Sequence, residues 1–327
     1  MKRILGIGNA LVDVMTLIDN DLILGRFSLP KGSMQLVDSQ KSDLIKRGTS
    51  NFRKSLASGG SAANTIHGLA MLKAETGFIG SIGKDETGDF FERDMKTAGV
   101  NTLLMRRNTA TGTAVALISP DSERTFATHL GAAVELGADD LDPEDFKSFN
   151  ILYLEGYLIN KPGLIRKACS IATDNNMKIA LDLASFNVVE TYPDLFKEII
   201  CRYVNIVFAN EEEARVFTGK VPEKAMSILS EMCDIAIIKT GSRGSMVSNG
   251  NKVIEINAIP VKGIDTTGAG DLYASGFLYG FSNNLDIEKC GRIGSLLAGS
   301  VIETIGARIP DERWDEIKDK IDDIINT

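Results

Sequence analysis

The sequence predicts an α/β fold in which helices cover both faces of a mostly parallel sheet, with a small second β-sheet beside it. From residue 150 onward, short apolar segments alternate with amphipathic helical segments. This order favours parallel strands joined by right-handed crossover helices. Between residues 100 and 130, short strand-like segments are separated by turn signals, which favours a sheet of its own. A chain of 327 residues can bury the core of one large domain or of two smaller domains.

The composition is that of an ordinary globular protein, with 43% apolar and 24% charged residues. A formal net charge of −8 argues against nucleic acid as a partner, because proteins that bind it present a broad basic surface. No apolar run approaches the roughly 18 residues that span a bilayer, so we expect no membrane partner. The apolar run at residues 4–8 is too short for a secretion signal. We therefore expect a cytoplasmic protein.

Cysteine and histidine usage argues against a zinc site or a histidine-based catalytic centre. The four cysteines lie far apart, each in or beside an apolar helical pattern, at Cys169, Cys201, Cys233 and Cys290. We expect buried, reduced thiols there rather than disulfides or a metal cluster. The two histidines, His67 and His129, lie near no nucleophile motif and no zinc-binding motif.

The first predicted strand covers residues 3–9. Gly6 and Gly8 match part of the dinucleotide-binding fingerprint, but the third glycine is missing. Residues 13–18 look like another strand rather than the helix that the fingerprint requires, which excludes a dinucleotide-dependent oxidoreductase. Asp13 stands in this apolar run. It is either a turn or edge aspartate or a carboxylate that binds substrate hydroxyls.

The small sheet is predicted from five short segments, residues 11–18, 33–37, 100–107, 113–119 and 125–128. Ser39 is the predicted N-cap of a helix over residues 39–47. A strand over residues 75–82 and a helix over residues 85–98 follow.

Gly59 and Gly60 precede a helix that ends at about residue 72 and carries Asn64 near its start. Small residues at a helix start allow a ligand to approach the backbone, or allow the helix to pack closely on the sheet. The residues alone leave both interpretations open.

The second half of the chain has the regular alternation. Strands are predicted at residues 151–154, 178–183, 205–208 and 235–239. Helices are predicted at residues 162–173, 195–201, 211–217, 223–232, 272–281, 287–305 and 311–325. Ligands of such sheets bind at the carboxyl ends of the strands. Asp13, Asn210 and Thr240 follow predicted strands, and residues 265–271 follow an extended run over residues 253–261.

Residues 265–271 carry the strongest chemical signal. Gly268, Ala269 and Gly270 have little side-chain bulk and precede a long helical pattern. Backbone N–H groups at a helix start bind anions. Asp271 beside them suits a base that accepts a proton from a hydroxyl attacking a phosphoryl group. The alternative is an ordinary helix start with an acidic first turn.

Two further segments suit a nucleotide. Asn210 and Glu213 either complement a helix dipole or hold Mg²⁺ through water. The turn with Thr240, Gly241 and Gly244 either binds phosphates or is a plain hairpin turn. The chain has no P-loop motif and no protein-kinase signature. Together these features favour phosphoryl transfer from a nucleotide to a hydroxyl.

Over nearly its whole length the chain resembles the ribokinase family of carbohydrate and nucleoside kinases, also called the PfkB family. Residues 265–271 are highly specific for that family, and residues 306–310 resemble its C-terminal ending. The resemblance implies a ribokinase-like three-layer α/β/α fold with a mostly parallel central sheet. It also implies a single kinase domain over residues 1–327, with a discontinuous β lid formed by about residues 11–38 and 100–130.

The resemblance also implies roles for individual residues. Asp271 is the general base, and the amides of Gly268, Ala269 and Gly270 form the anion hole. The residues that bind the acceptor are Asp13, Asn9, Gly59, Gly60 and Asn64. The residues that contact ATP are Asn210, Thr240, Gly241, Gly244 and Thr267. Asn210 and Glu213 hold Mg²⁺ through water, and Asp265 with the backbone of Thr267 resembles part of a monovalent-cation site for K⁺. Arg124 matches a lid arginine that reaches the substrates. The alternative interpretation is that Arg124 is a solvated surface residue.

Within the family, residues 8–13, 111–114 and 123–133 resemble the adenosine kinase-like branch. An ATP-dependent kinase of a nucleoside is therefore expected. A sugar kinase of the fructokinase, ribokinase or 2-keto-3-deoxygluconate kinase type is the alternative, and a non-catalytic sugar or nucleoside sensor is a remote one. The aromatic residue that contacts the acceptor stays open among Phe126, Tyr157 and Phe186, and the protein is expected to be a monomer or a homodimer.

Overall fold

The computed structural model describes residues 1–121, 123–250 and 252–327. Strands in these ranges are β1 (Ile4–Ile7), β2 (Leu11–Leu17), β3 (Met34–Leu36), β4 (Lys54–Gly59), β5 (Thr76–Gly83), β6 (Asn101–Arg107), β7 (Thr111–Ile118), β8 (Arg124–Gly131), β9 (Ile151–Glu155), β10 (Lys178–Asp182), β11 (Ile206–Asn210), β12 (Ile235–Lys239), β13 (Ser245–Ser248) and β14 (Val253–Ile256). Helices are α1 (Leu22–Arg26), α2 (Ser39–Gly48), α3 (Ser61–Met71), α4 (Glu86–Ala98), α5 (Pro162–Asp174), α6 (Phe186–Thr191), α7 (Pro193–Tyr203), α8 (Glu211–Thr218), α9 (Pro222–Ser230), α10 (Ala269–Ser282), α11 (Ile287–Ile302) and α12 (Trp314–Asn326).

The large sheet has nine strands in the order β14-β13-β12-β11-β10-β9-β1-β5-β6. All neighbours from β12 to β6 run parallel, whereas β13 and β14 form an antiparallel hairpin edge. Central strands such as β5 are buried along their whole length, as expected for a parallel sheet covered on both faces. This confirms the predicted α/β class.

The two faces of the large sheet bury different residues because successive side chains of a strand point to opposite sides. Ile4 belongs to an apolar cluster that includes residues of α3, α4 and α10. Its neighbour Leu5 belongs to a second cluster that includes residues of α5, α7 and α9. Helices therefore form a layer on each face, which confirms the predicted three-layer α/β/α arrangement. Helix α12 packs with α11 through a third cluster that includes Trp314.

The small sheet has five strands in the order β3-β8-β7-β2-β4, and it differs from the prediction in two places. Strand β6, which we expected in this sheet, pairs in parallel with β5 at the edge of the large sheet. Helix α4 acts as the crossover between those two parallel strands. Strand β4 was not predicted, because Lys54–Gly59 is rich in small and polar residues and has low intrinsic strand preference. Its strand conformation comes with antiparallel pairing to β2.

Several local expectations also needed correction. Helix α2 is capped by Asp38, whose carboxylate accepts from Lys41 N at 2.7 Å, and not by Ser39. Helix α6 was not predicted. Cys169 and Cys290 are buried as expected, but Cys233 is half-buried and Cys201 is exposed, because Cys201 lies on the outer side of α7. In the described ranges, no helix is both long and apolar enough to cross a bilayer.

Candidate active site

Helix α10 begins at the segment that carries the strongest sequence signal. Gly268 is its N-cap residue with a φ of +76°, a conformation that L side chains rarely adopt. A Cβ atom at this position would lie only 2.7 Å from Ala307 Cα, so glycine lets residues 306–308 pack against the helix start. The amide of Ala269 donates to Thr266 O at 3.2 Å. Among the described residues, none accepts a hydrogen bond from the amides of Gly268 and Gly270.

Asp271 lies in the first turn of α10 and is held by two side chains of α3. Its carboxylate accepts from Ser61 Oγ at 2.7 Å and from Asn64 Nδ2 at 2.9 Å. Burial raises the pKa of Asp271 to about 6, although these two hydrogen bonds act to lower it. At neutral pH the carboxylate is therefore ionised, and it is basic enough to accept a proton.

The start of α3 is positioned by Glu155, a fully buried carboxylate at the end of β9. Glu155 accepts from Ala62 N at 3.0 Å, from Asn9 N at 2.8 Å and from the side-chain amide of Asn9. Gly60 has a φ of +99° as the N-cap of α3, and a Cβ there would collide with Asn9 O. Asn9 and Gly60 thus join the end of β1 to the start of α3.

Sequence reasoning missed Glu155 and Ser61. Glu155 is an acidic residue at the end of an apolar strand, the same signal that pointed to Asn210. Ser61 stands immediately after Gly60, but its link to Asp271 spans 210 residues of sequence, and no local pattern reveals it.

Asp13 lies half-buried on β2 near the same end of the site. Gly59 at the end of β4 leaves room for the carboxylate of Asp13. Burial raises the pKa of Asp13 to about 7, with Arg308 acting to lower it and Asp271 to raise it further. Arg308 is held by Ser58, whose backbone oxygen and hydroxyl both accept from its guanidinium. Two carboxylates and one guanidinium therefore lie together at this end.

Arg124 connects the small sheet to the segment ahead of α10. Its Nη1 donates to Thr267 Oγ1 at 3.0 Å and forms an ion pair with Asp265. Burial lowers the pKa of Arg124 to about 10, so the guanidinium keeps its charge at neutral pH. Only 9% of Arg124 is exposed, which excludes the alternative of a solvated surface residue.

The carboxylate of Asp265 interacts with three donor groups. Besides Arg124, its carboxylate accepts from Thr267 N at 3.0 Å and from Gly306 N at 2.7 Å. The carboxylate thus shapes the turn before α10. Arg124 and two backbone amides thus already contact this carboxylate, and the K⁺ site predicted at Asp265 and the backbone of Thr267 stays a prediction.

Asn210 and Glu213 form a capping box at the start of α8. Asn210 Oδ1 accepts from Glu213 N at 2.8 Å, while the two carboxylate oxygens of Glu213 accept from Asn210 N at 2.8 Å and Nδ2 at 2.6 Å. Burial, with the charge of Asp182, raises the pKa of Glu213 to about 7. No group of three acidic, histidine or cysteine residues in the described ranges can hold a metal ion. The assignment of this pair to Mg²⁺ held through water stays a prediction.

Thr240, Gly241 and Gly244 form the turn between β12 and β13. Thr240 N donates to Gly244 O at 2.8 Å, and Gly244 N donates to Gly241 O at 3.0 Å. The hairpin interpretation of this turn is therefore correct, and its position next to α8 and the carboxyl end of β12 is compatible with phosphate binding as well.

Lys239, the last residue of β12, joins this turn to the start of α10. Its Nζ donates to Asp182 Oδ2 at 2.8 Å and would lie 3.1 Å from a Cβ atom on Gly270. Burial acts to lower the pKa of Lys239, but the charges of Asp182 and Glu213 outweigh it and raise the pKa. Asn210, Thr240 and Lys239 thus lie at strand ends of the large sheet, whereas Asp13, Gly59 and Arg124 lie on strands of the small sheet.

The three candidate aromatic residues differ in their surroundings. Phe186 is 37% exposed at the start of α6, and Phe126 is half-buried within β8. Tyr157 follows β9 and is half-buried. Burial raises its pKa to about 12, and the charges of Glu155 and Asp271 act in the same direction. Tyr157 therefore lies in the same acidic neighbourhood as Asp271.

A parallel sheet with a glycine-rich helix start beside a buried carboxylate is an arrangement that suits phosphoryl transfer. Residues 36–314 match the family described as pfkB family carbohydrate kinase. The chain belongs to this family, and it is a kinase for which family membership implies ATP as a substrate.

Relatives of the chain include both sugar and nucleoside kinases. The structure of adenosine kinase from Sinorhizobium meliloti is 34% identical, with a TM-score of 0.84 over 94% of this chain and 95% of that one. A probable sugar kinase protein from Rhizobium etli CFN 42 is 32% identical, with a TM-score of 0.88 over 98% of each chain. A nucleoside kinase of Methanocaldococcus jannaschii is 29% identical over 81% of this chain and 85% of its own.

Proposed function

We propose that this kinase transfers the γ-phosphoryl group of ATP to a primary hydroxyl of a nucleoside. The observation that carries this proposal is the placement of Asp271. Its carboxylate accepts hydrogen bonds from Ser61 and Asn64 at a helix start. The neighbouring backbone amides of Gly268 and Gly270 donate to no described residue.

The proposed reaction begins when Asp271 accepts the proton of the acceptor hydroxyl. The acceptor oxygen then forms a bond to the γ-phosphorus while the bond from that phosphorus to the bridging oxygen breaks, and ADP leaves. The amides of Gly268 and Gly270, with Ala269 between them, bind the oxygens of the transferred group. These donors lie at the positive end of α10, where negative charge is stabilised.

The acceptor binds at the end of the site with Asp13 and Asn64. Asn64 Nδ2 is bonded to Asp271, and Asn64 Oδ1 is buried with no partner among the described residues. A buried acceptor atom without a partner is unfavourable. A second hydroxyl of the acceptor molecule can satisfy it, while Asp13 accepts from another. Asn9, Gly59 and Gly60 shape the backbone around this end.

ATP binds along the neighbouring strand ends, with Thr240, Gly241, Gly244 and Thr267 near its phosphates. Mg²⁺ neutralises charge on the phosphate oxygens when bound, and the capping box of Asn210 and Glu213 holds its waters. Arg124 reaches the phosphate side from the small sheet, which serves as a lid that excludes water.

The choice of a nucleoside rests on the similarity to an adenosine kinase and a nucleoside kinase, together with Tyr157 near the acceptor end. A sugar acceptor is the second candidate, because the Rhizobium etli protein, whose structure aligns with 98% of this chain at 32% identity, is described as a probable sugar kinase. A non-catalytic sensor is not favoured, since the base and the anion-binding amides are both present.

The test is ADP release with ATP and Mg²⁺ across adenosine, inosine, guanosine, ribose, fructose and 2-keto-3-deoxygluconate. We expect the highest kcat/KM with a nucleoside. Turnover with sugars alone would replace the nucleoside by a sugar and leave the kinase chemistry intact. Absence of ADP release with all six would count against the acceptor proposal as a whole.

A further inference from the structure

We infer that Lys239 binds the transferred phosphoryl group and stabilises its charge during the reaction. The inference deepens the proposed function and rests on it for the position of the phosphoryl group. Lys239 lies outside the motif of residues 265–271, and the sequence showed it only as the last residue of a strand.

The geometry places the ammonium group beside the anion-binding amides. Lys239 Nζ would lie 3.1 Å from a Cβ atom on Gly270. An oxygen that accepts from the Gly270 amide lies about 2.9 Å from that nitrogen. We infer that a phosphoryl oxygen bound at this amide also accepts from Nζ. Lys239 at the end of the sheet strand and the amides at the helix start therefore border the same volume.

Lys239 also has free donor capacity. An ammonium group carries three N–H donors. Within the described ranges, its one hydrogen bond is to Asp182 Oδ2 at 2.8 Å. Its side chain is 15% exposed, so its donors lie in a partly desolvated site where electrostatic interactions are stronger than in water.

The charges around Lys239 keep it protonated. Asp182, Glu213 and Asp271 all act to raise its pKa, against the effect of burial. Lys239 in turn acts to lower the pKa of Asp271, which favours the ionised form of the base. When the γ-phosphoryl group passes to the acceptor, the proton goes to Asp271 and Lys239 keeps its own three protons.

A purely structural role is the alternative, in which Lys239 only compensates the buried carboxylate of Asp182, 5% exposed. The two roles predict different behaviour when both charges are removed. A compensating lysine becomes dispensable once Asp182 is neutral. A lysine that binds the phosphoryl group does not.

The first experiment compares nucleotide binding by calorimetry in the presence of Mg²⁺. For Lys239→Met we expect the Kd of AMP-PNP to rise about tenfold or more, because a charge-assisted hydrogen bond to the γ-phosphate is lost. The Kd of ADP, which lacks that phosphate, is expected to stay within about threefold, since the lost contact is absent from its complex. Equal changes for both nucleotides, or no change for either, would overturn the inference. This readout does not depend on which acceptor the enzyme uses.

The second experiment uses the double variant Asp182→Asn with Lys239→Met. We expect its kcat to stay about 10²-fold or more below that of Asp182→Asn alone, as for loss of a preorganised donor to the transferred group. A double variant that matches Asp182→Asn shows that compensation is the only role and overturns the inference. Lys239→Arg, which keeps the charge, should recover part of kcat. Lys224→Met on the exposed side of α9 is the matched control.

Discussion

Arg124 Nη1 in the small sheet donates to Thr267 Oγ1 at 3.0 Å, across 143 residues of sequence. The same guanidinium pairs with Asp265, so one side chain couples the small sheet to the turn before α10. The small sheet is therefore held over the carboxyl edge of the large sheet by a buried charge pair.

Replacing Arg124 by alanine should lower kcat/KM for ATP by roughly 10²-fold, because both the closing contact and a positive charge near the phosphates are lost. Steady-state ADP release gives this value. The buried carboxylate of Asp265 also loses its ion-pair partner, so the melting temperature should fall. Arg53→Ala, at an exposed position just before β4, is the control and should leave both values unchanged. Unaltered kinetics in Arg124→Ala would contradict the assigned role.

The pH profile should reflect the raised pKa of Asp271, about 6. The base works only when ionised, so log kcat/KM should fall as the pH drops below about 6. Asp13, with a pKa of about 7, interacts with Asp271, so the decline should begin near pH 7 and steepen below pH 6 as both carboxylates become protonated. The profile is measured at constant ionic strength. An acidic limb of the profile centred near pH 4 would show that burial does not raise the pKa of Asp271.

Asp271→Asn should lower kcat by ~10²–10⁴-fold, as for loss of a general base. The same change should stabilise the fold. A carboxyl group whose pKa is higher in the folded state than in the unfolded state destabilises the fold once it ionises. Relative to the native chain, the variant should therefore melt higher above about pH 6, and the difference should vanish as the pH falls towards 4. Near-normal turnover would refute the base assignment. Asp174→Asn, at the end of α5, serves as the control for a changed aspartate.

Gly268→Ala should reduce activity and stability more than a matched glycine change elsewhere. The new Cβ would press against Ala307 and displace the helix start that carries the amides. Gly219 has a similar φ of +70° at the end of α8 but open space around it. Gly219→Ala therefore isolates the backbone strain, worth about 1–2 kcal/mol. Denaturant unfolding and kcat are compared for both variants, and equal effects in the two would remove the packing explanation.

Glu155→Gln should raise the KM for the acceptor with a smaller effect on kcat. The amide NH₂ group of glutamine would face the N–H donors of Asn9 or Ala62 and cannot accept from them. The start of α3 should therefore shift and move Asn64. Loss of these buried hydrogen bonds should also cost about 1–3 kcal/mol of stability. Both quantities are measured on one preparation, with the exposed Glu190→Gln on α6 as control. A variant that binds the acceptor normally would show that Glu155 has no positioning role.

Local sequence patterns predicted much of the fold and part of the candidate site. The strands and helices after residue 150 follow from apolar periodicity, and they form the parallel sheet that was expected. The glycine-rich helix start at Gly268 and the carboxylate of Asp271 were visible because a positive φ and an acidic first turn have local residue preferences. The position of Asn210 at a strand end was likewise local.

The sequence by itself determined most of the helices and strands, though not β4 and α6, and which residue types stand where the strands end. Only the tertiary structure decided that Ser61 and Asn64 hold Asp271, that Glu155 holds Asn9, and that β6 joins the large sheet while β4 joins the small one. Periodicity and propensity act over a few residues, whereas the side-chain contacts of Asp271 and of Glu155 with Asn9 link positions 146 to 210 residues apart. Such contacts depend on how whole layers pack against each other, and packing leaves no signature in any single stretch of the chain.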